Sequence, residues 1–295
     1  MKYIRPITLT DAMLTAHSVA ETDYTAWNGA TAYTAGNHCI LVNTHRIYER
    51  LISGTTATSP HLDATNWLDT GPTNRWAMFD KTIGTVTSSA SPITCSIVPG
   101  EVTNSVGLMD IVATAARLKM KVGGVYVYDK TITIYDNAVI LDWEDYFFTA
   151  FEPDTTAFFY DLPFYSTQTL ELTVSHTSTV EIGSMVFGNP VELGGIRYGA
   201  QVGIVDYSGK TTDVFGVTSV VQRGYAKRLQ LQLIIDNTDM DRIVRELAAI
   251  RATPVVWIGS DEYSSLVVYG YYKDWGIAIA YPSISECSLT IEGLV

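Results

Sequence analysis

The sequence predicts a mainly β protein that ends in an α+β domain. Apolar segments are short, rich in β-branched and aromatic residues, and bounded by Gly, Pro, Asn, Asp or Ser. Several of them, including 117–122, 170–174 and Arg228–Ile235, alternate apolar with polar residues, the pattern of a half-buried strand. Helical periodicity is confined to 239–251, where Met240, Ile243, Val244, Leu247 and Ile250 form one apolar stripe. The 295 residues are 47% hydrophobic and 17% charged, which suits a folded chain of two or three domains.

The elements follow in order. Residues 1–20 read as an N-terminal arm that packs on another domain or subunit. Residues 21–72 read as a small β unit with a turn at Gly36-Asn37 and a strand pair about the Asn43–Arg46 link. So short a unit must build its core from a few aromatics, Trp27, Tyr33, Tyr48 and Trp67. The polar run Asp69–Asn74 reads as a linker or turn, and 76–188 reads as a β-sandwich of regular strands, with the aromatic clusters 146–148 and 158–160 at one end or facing a partner. Residues 189–295 give a β-α-β-β-β order. Asp236–Asp239 supply helix-start chemistry and Pro254 stops the helix.

Charge narrows the function. With 19 Lys+Arg against 31 Asp+Glu the net charge is −12, and the basic clusters Lys119/Lys121 and Lys227/Arg228 are small. Nucleic acid and anionic lipid are therefore disfavoured as partners. No apolar run approaches the ~20 residues of a membrane span, and Met1–Asp11 lacks a signal-peptide h-region. No membrane insertion is expected. Cys39, Cys95 and Cys287 form no CxxC pair and read as buried free thiols of a protein made in a reducing cytoplasm.

Motifs for chemistry are sparse. Walker A, GxGxxG and GxSxG patterns are absent, and His17, His38, His45, His61 and His176 show no HxH or HExxH spacing. No metal site and no cofactor are expected. Asp142, Glu144 and Asp145 surround Trp143 and could supply the paired carboxylates of a glycan hydrolase, although a solvated turn explains them as simply. Trp27, Tyr33, Tyr48 and Trp67 are the candidate glycan-stacking rings, and the alternative is that they are the core of their own small unit.

Segment 26–71 resembles the small chitin-binding-type carbohydrate-binding modules. The matching residues are Ala26-Trp27, Tyr33, Gly36-Asn37, the strand Cys39–Val42, Tyr48 and Trp67. It departs after the second Tyr, where such modules place exposed aromatics and this chain has Glu49-Arg50-Leu51. The whole chain is similar to tailed-bacteriophage tail proteins that embed such a module. That likeness rests on Asn74–Asp80, Arg251–Gly259 and Cys287–Leu294.

The resemblance implies a non-enzymatic virion component at the tail tip, baseplate or tail–fibre junction. It would be synthesised in the host cytoplasm and assembled as a homo-oligomer with other tail proteins, the module displayed towards a cell-surface glycan or a fibre. Eighteen Tyr and six Trp exceed what small cores need, which suits contact surfaces at Phe158–Tyr165 or Tyr263–Tyr272. The alternatives are a glycan-binding receptor protein and a glycan hydrolase.

Overall fold

A computed structural model describes residues 1–82, 84–90, 92–134, 143, 155–212, 214–260 and 263–294. The acids Asp142, Glu144 and Asp145, the strand expected at 138–141 and the aromatics 146–148 lie outside the described residues. The fold is mainly β, as expected.

In chain order the strands begin with β1 (Lys2–Pro6), β2 (Leu14–His17), β3 (His38–Leu41), β4 (Arg46–Arg50) and β5 (Trp67–Pro72). Next come β6 (Thr87–Ser89), β7 (Ile93–Ile97), β8 (Ser105–Val112), β9 (Ala115–Val122), β10 (Val125–Thr133) and β11 (Thr156–Phe159). They continue with β12 (Gln168–Ser175), β13 (Val180–Glu192), β14 (Gly195–Ile196), β15 (Gln201–Asp206), β16 (Gly209–Thr212), β17 (Thr218–Val221) and β18 (Tyr225–Asp236). The helix α1 (Met240–Ala249) precedes β19 (Val255–Ile258), β20 (Val267–Ala278) and β21 (Ile284–Gly293).

Two compact units result, Thr8–Met185 and Met1–Ile7 with Val186–Val295. The division falls elsewhere than the sequence boundaries. Residues 1–7 supply β1 to the C-terminal unit. Residues 14–17 supply β2 to the other unit, which also contains the small module.

In Thr8–Met185, a five-stranded antiparallel sheet runs β10-β9-β12-β7-β2. Strand β12 alternates between buried and half-buried positions along its length, and β9 buries Ala116, Leu118 and Met120 on one face. The β9–β10 hairpin closes through Gly123-Gly124, both at positive φ, as a two-residue I′-type loop requires. Its solvent face is electrostatically matched. Arg117 pairs with Asp129, Lys130 with Asp161, and Lys119 and Lys121 lie over the Tyr126 ring. These cations are internal partners of the sheet and form no separate basic stripe.

In the C-terminal unit the second half of β13 pairs with β1, and the antiparallel order continues β19-β20-β21-β18, with β14 and β15 both on β18. The alternation read in the sequence buries Leu229, Leu231, Leu233 and Ile235 of β18. Helix α1 lays Ile243 and Leu247 on that face, followed by Ile250 at its C-cap, with Tyr3, Trp257, Leu289 and Ile291 in the same core. Val244, expected in the stripe, is exposed, because the contact seam is narrower than the sequence pattern. Glu246, on the rim, accepts a hydrogen bond from the Tyr3 hydroxyl (2.9 Å) and pairs with Arg5. Ala252 in a left-handed conformation ends the helical path ahead of Pro254.

Candidate functional site

The small module is a three-stranded antiparallel sheet, β3-β4-β5, with its own core. Asn37 Oδ1 accepts hydrogen bonds from the Thr34 backbone N–H (2.9 Å) and hydroxyl (2.8 Å), fixing the Gly36-Asn37 turn that leads into β3. Tyr33, Tyr48 and Trp67 join Cys39 and Leu41 in the core, and Trp27 packs against them half-buried. Tyr33 stands edge-on to Trp67 at 5.0 Å, and its hydroxyl accepts the Asn28 backbone N–H at 2.9 Å.

Three of the four sugar-stacking candidates, Tyr33, Tyr48 and Trp67, thus form the core that so short a unit needs, and Trp27 lies at its edge. No face of Tyr33, Tyr48 or Trp67 is open to a sugar ring. Arg50, at the position where similar modules expose aromatics, is only 3% exposed, and its guanidinium lies 5.0 Å from the Trp67 ring centroid. The module exposes other groups. Tyr24 stacks on His38 at 4.9 Å, and Leu51, Ile52 and Leu68 are open on the surface.

His38 and His45, on the same hairpin, face different partners. The His45 ring stacks on Trp76 at 4.0 Å, with Nδ1 3.0 Å from Glu21 and Nε2 2.9 Å from Asp11. The Thr73 hydroxyl donates to the same Glu21 carboxylate. Residues 11, 21, 45, 73 and 76 are thereby tied together, an ion-pair and ring cluster invisible in the spacing of the sequence. Among the described residues no group of three His, Cys, Asp or Glu is placed to hold a metal ion.

The three cysteines are free and buried, as expected. Burial raises the thiols of Cys39 and Cys287 to about 11 and that of Cys95 to about 12, so none is a ready nucleophile.

His17 has a defined consequence. Its Nδ1 accepts the Val19 backbone N–H at 3.0 Å, and burial, with the nearby Arg75 charge, lowers its pKa to about 4. The unfolded chain takes up a proton near pH 6.5 and the folded chain only near pH 4. The stability His17 contributes is whole above pH 6.5 and falls as pH drops through 4. Discounted for partial exposure, the loss is about 2 kcal/mol. Denaturant titrations of the wild type from pH 7 to pH 4 are expected to show this slope, and His17→Gln is expected to flatten it. An unchanged slope in the variant would assign the acid sensitivity elsewhere.

An open apolar surface lies in the C-terminal unit. Strand β15 pairs with β18 along Gln201–Asp206 and Tyr225–Gln230, and the hairpin runs on into the β16–β17 ribbon. Among the described residues β16 and β17 pair with one another alone, over four residue pairs, about 13 Å. The ribbon ends at Val214 and Phe215, 94% and 88% exposed; Val220 and Val221 are exposed along it, and Val202 and Ile204 along the β15 stem. A groove of about 210 Å³ on the stem is lined by Gln201, Val202, Gly203, Ile204, Arg228 and Gln230. Tyr207, at the junction, donates its hydroxyl to Glu292 at 2.8 Å and fixes the root of the arm.

Sequence reasoning looked for contact surfaces elsewhere. In Phe158–Tyr165, Phe164 and Tyr165 are exposed while Phe159 and Leu162 are core; in Tyr263–Tyr272, Tyr263 and Tyr271 are exposed. The Val and Ile residues of the arm have the composition of an ordinary strand, and composition does not tell a covered strand from an open one. The signal available was the apolar run 214–221 about Gly216, with no further strand assigned to cover it.

Fold and surface together define a mainly β protein with a long open β arm and a small embedded β module. No protein-family model, curated protein or solved structure matches the chain.

Proposed function

We propose that the chain is a non-enzymatic structural subunit of a tailed-phage virion, built into the tail tip, baseplate or tail–fibre junction. It associates with copies of itself and with other tail proteins. The observation that carries this reading is the arm between Gln201 and Gln230. An exposed strand edge with open Val, Ile and Phe side chains is an aggregation hazard on a lone subunit, and a neighbour that covers it removes the hazard. The stretches Asn74–Asp80, Arg251–Gly259 and Cys287–Leu294 support the same reading through their resemblance to tail proteins.

The small module serves in this reading as a contact platform. Its open Leu51, Ile52 and Leu68 suit a protein neighbour better than a sugar, whose hydroxyls need polar partners. A cell-surface glycan remains the alternative partner for the module.

A cryo-electron-microscopy map of the phage particle that encodes this chain tests the proposal. The expected result is density for the chain in a symmetric arrangement about the tail axis, with the copy number read from the symmetry. Absence of the chain from the particle would overturn the reading and bring glycan binding forward.

A further inference from the structure

We infer that the arm of one copy docks on the acidic remainder of a second copy, so that the contact is head-to-tail and not two-fold. The inference deepens the assembly reading above and rests on it.

Residues 201–230 carry Lys210, Arg223, Lys227 and Arg228 against Asp206 and Asp213, a net charge of +2. The whole chain has net charge −12, so the remainder carries −14. All four cations are exposed, and among the described residues none lies within salt-bridge distance of a carboxylate. The arm is therefore a strand pair with exposed apolar side chains and a net positive charge, on a protein that is otherwise acidic; within it Arg228 lies opposite Glu292 on β21 and Lys210 acts on Asp206, beyond salt-bridge distance in both cases.

Two arms laid against each other would bring eight such cations into one interface, and like charges across paired strands repel. The complementary surface is the acidic body of the neighbour, which steers a basic arm and leaves its Val, Ile and Phe side chains to be desolvated on contact. Such a contact uses two different patches. It repeats from copy to copy until it closes, which yields a ring, or continues as a filament.

The test uses the full chain and the double variant Lys210→Glu/Arg223→Glu, which turns the arm's net charge from +2 to −2. Sedimentation velocity is run on wild type and variant between about 0.05 M and about 0.5 M salt, a range over which exposed charges become screened. Wild type is expected to form oligomers at low salt that dissociate as salt rises. The variant is expected to melt at the wild-type temperature, since both side chains are exposed, and to associate at least about tenfold more weakly.

Mixing gives the sense of the contact. A variant with a defective arm still offers its acidic body, so adding it to wild type is expected to shorten the oligomers by capping them. Assembly of the variant like wild type, its exclusion from wild-type oligomers, or a wild type that stays monomeric at low salt would each overturn the inference. The particle map decides the virion reading independently of all three.

Discussion

Trp67→Ala is expected to unfold the small module while leaving the C-terminal unit folded. The indole is 2% exposed, stands edge-on to Tyr33 and lies beneath the Arg50 guanidinium, so its removal empties the centre of a five-residue core. Large-to-small changes at such a site cost about 3–5 kcal/mol, and a sheet of three strands has little stability to spare. Hydrogen exchange would report it as lost protection of the Arg50, Gly54 and Ile40 amides, which the module's own backbone bonds hold. Trp67→Phe keeps an aromatic ring and removes an indole N–H that has no hydrogen-bond partner among the described residues, so it is expected to be far milder. A folded, protected module in Trp67→Ala would show that the ring is dispensable to the core and reopen it as a ligand surface.

Gly188→Ala is expected to detach β1 from its sheet. A Cβ at this position would lie 1.8 Å from the Arg5 carbonyl oxygen, and that oxygen belongs to backbone. No side-chain rotation relieves the collision, so the β1–β13 register, Lys2↔Glu192 to Pro6↔Gly188, must open. Strand β1 carries the buried Tyr3 and Ile4, and Tyr3 holds Glu246 of α1. The expected cost is about 3 kcal/mol or more, the range of severe backbone and overpacking changes. Gly195→Ala is the control, since its Cβ would meet nothing within 4 Å, and it is expected to change stability by about 0.5 kcal/mol or less. Equal stability of the two variants would refute the close approach.

The sequence and the structure agree most closely where local pattern and burial coincide. Alternation in 170–174 and 229–235 placed the buried face of β12 and β18 correctly, because a half-buried strand writes its environment into every second residue. Helix α1, its Pro254 stop and the following three strands were legible for the same reason. The domain boundaries were less so. Met1–Ile7 reads as a terminal arm because β1 is five residues long, and its partners β13 and β19 lie about 180 and 250 residues further on.

Aromatic residues show the limit most plainly. Composition made Trp27, Tyr33, Tyr48 and Trp67 equally good as a core or as a sugar platform, since the same ring serves both uses. Only the turn of Arg50 inward, and the closing of β4 and β5 about Trp67, decide that three of them are core. The arm shows the reverse. Val202, Ile204, Val220 and Val221 look like core strand in the sequence, yet nothing described covers them.

By itself, then, the amino-acid sequence determined the mainly β class, the acidic charge, the free buried thiols and the element order from β18 to β21. These follow from residue type and short-range periodicity. Tertiary structure alone decided which aromatics are buried, that residues 11, 21, 45, 73 and 76 converge on one histidine, and that the arm stands open. Each depends on which distant segments meet, and pairing across tens to hundreds of residues leaves no local mark in the chain.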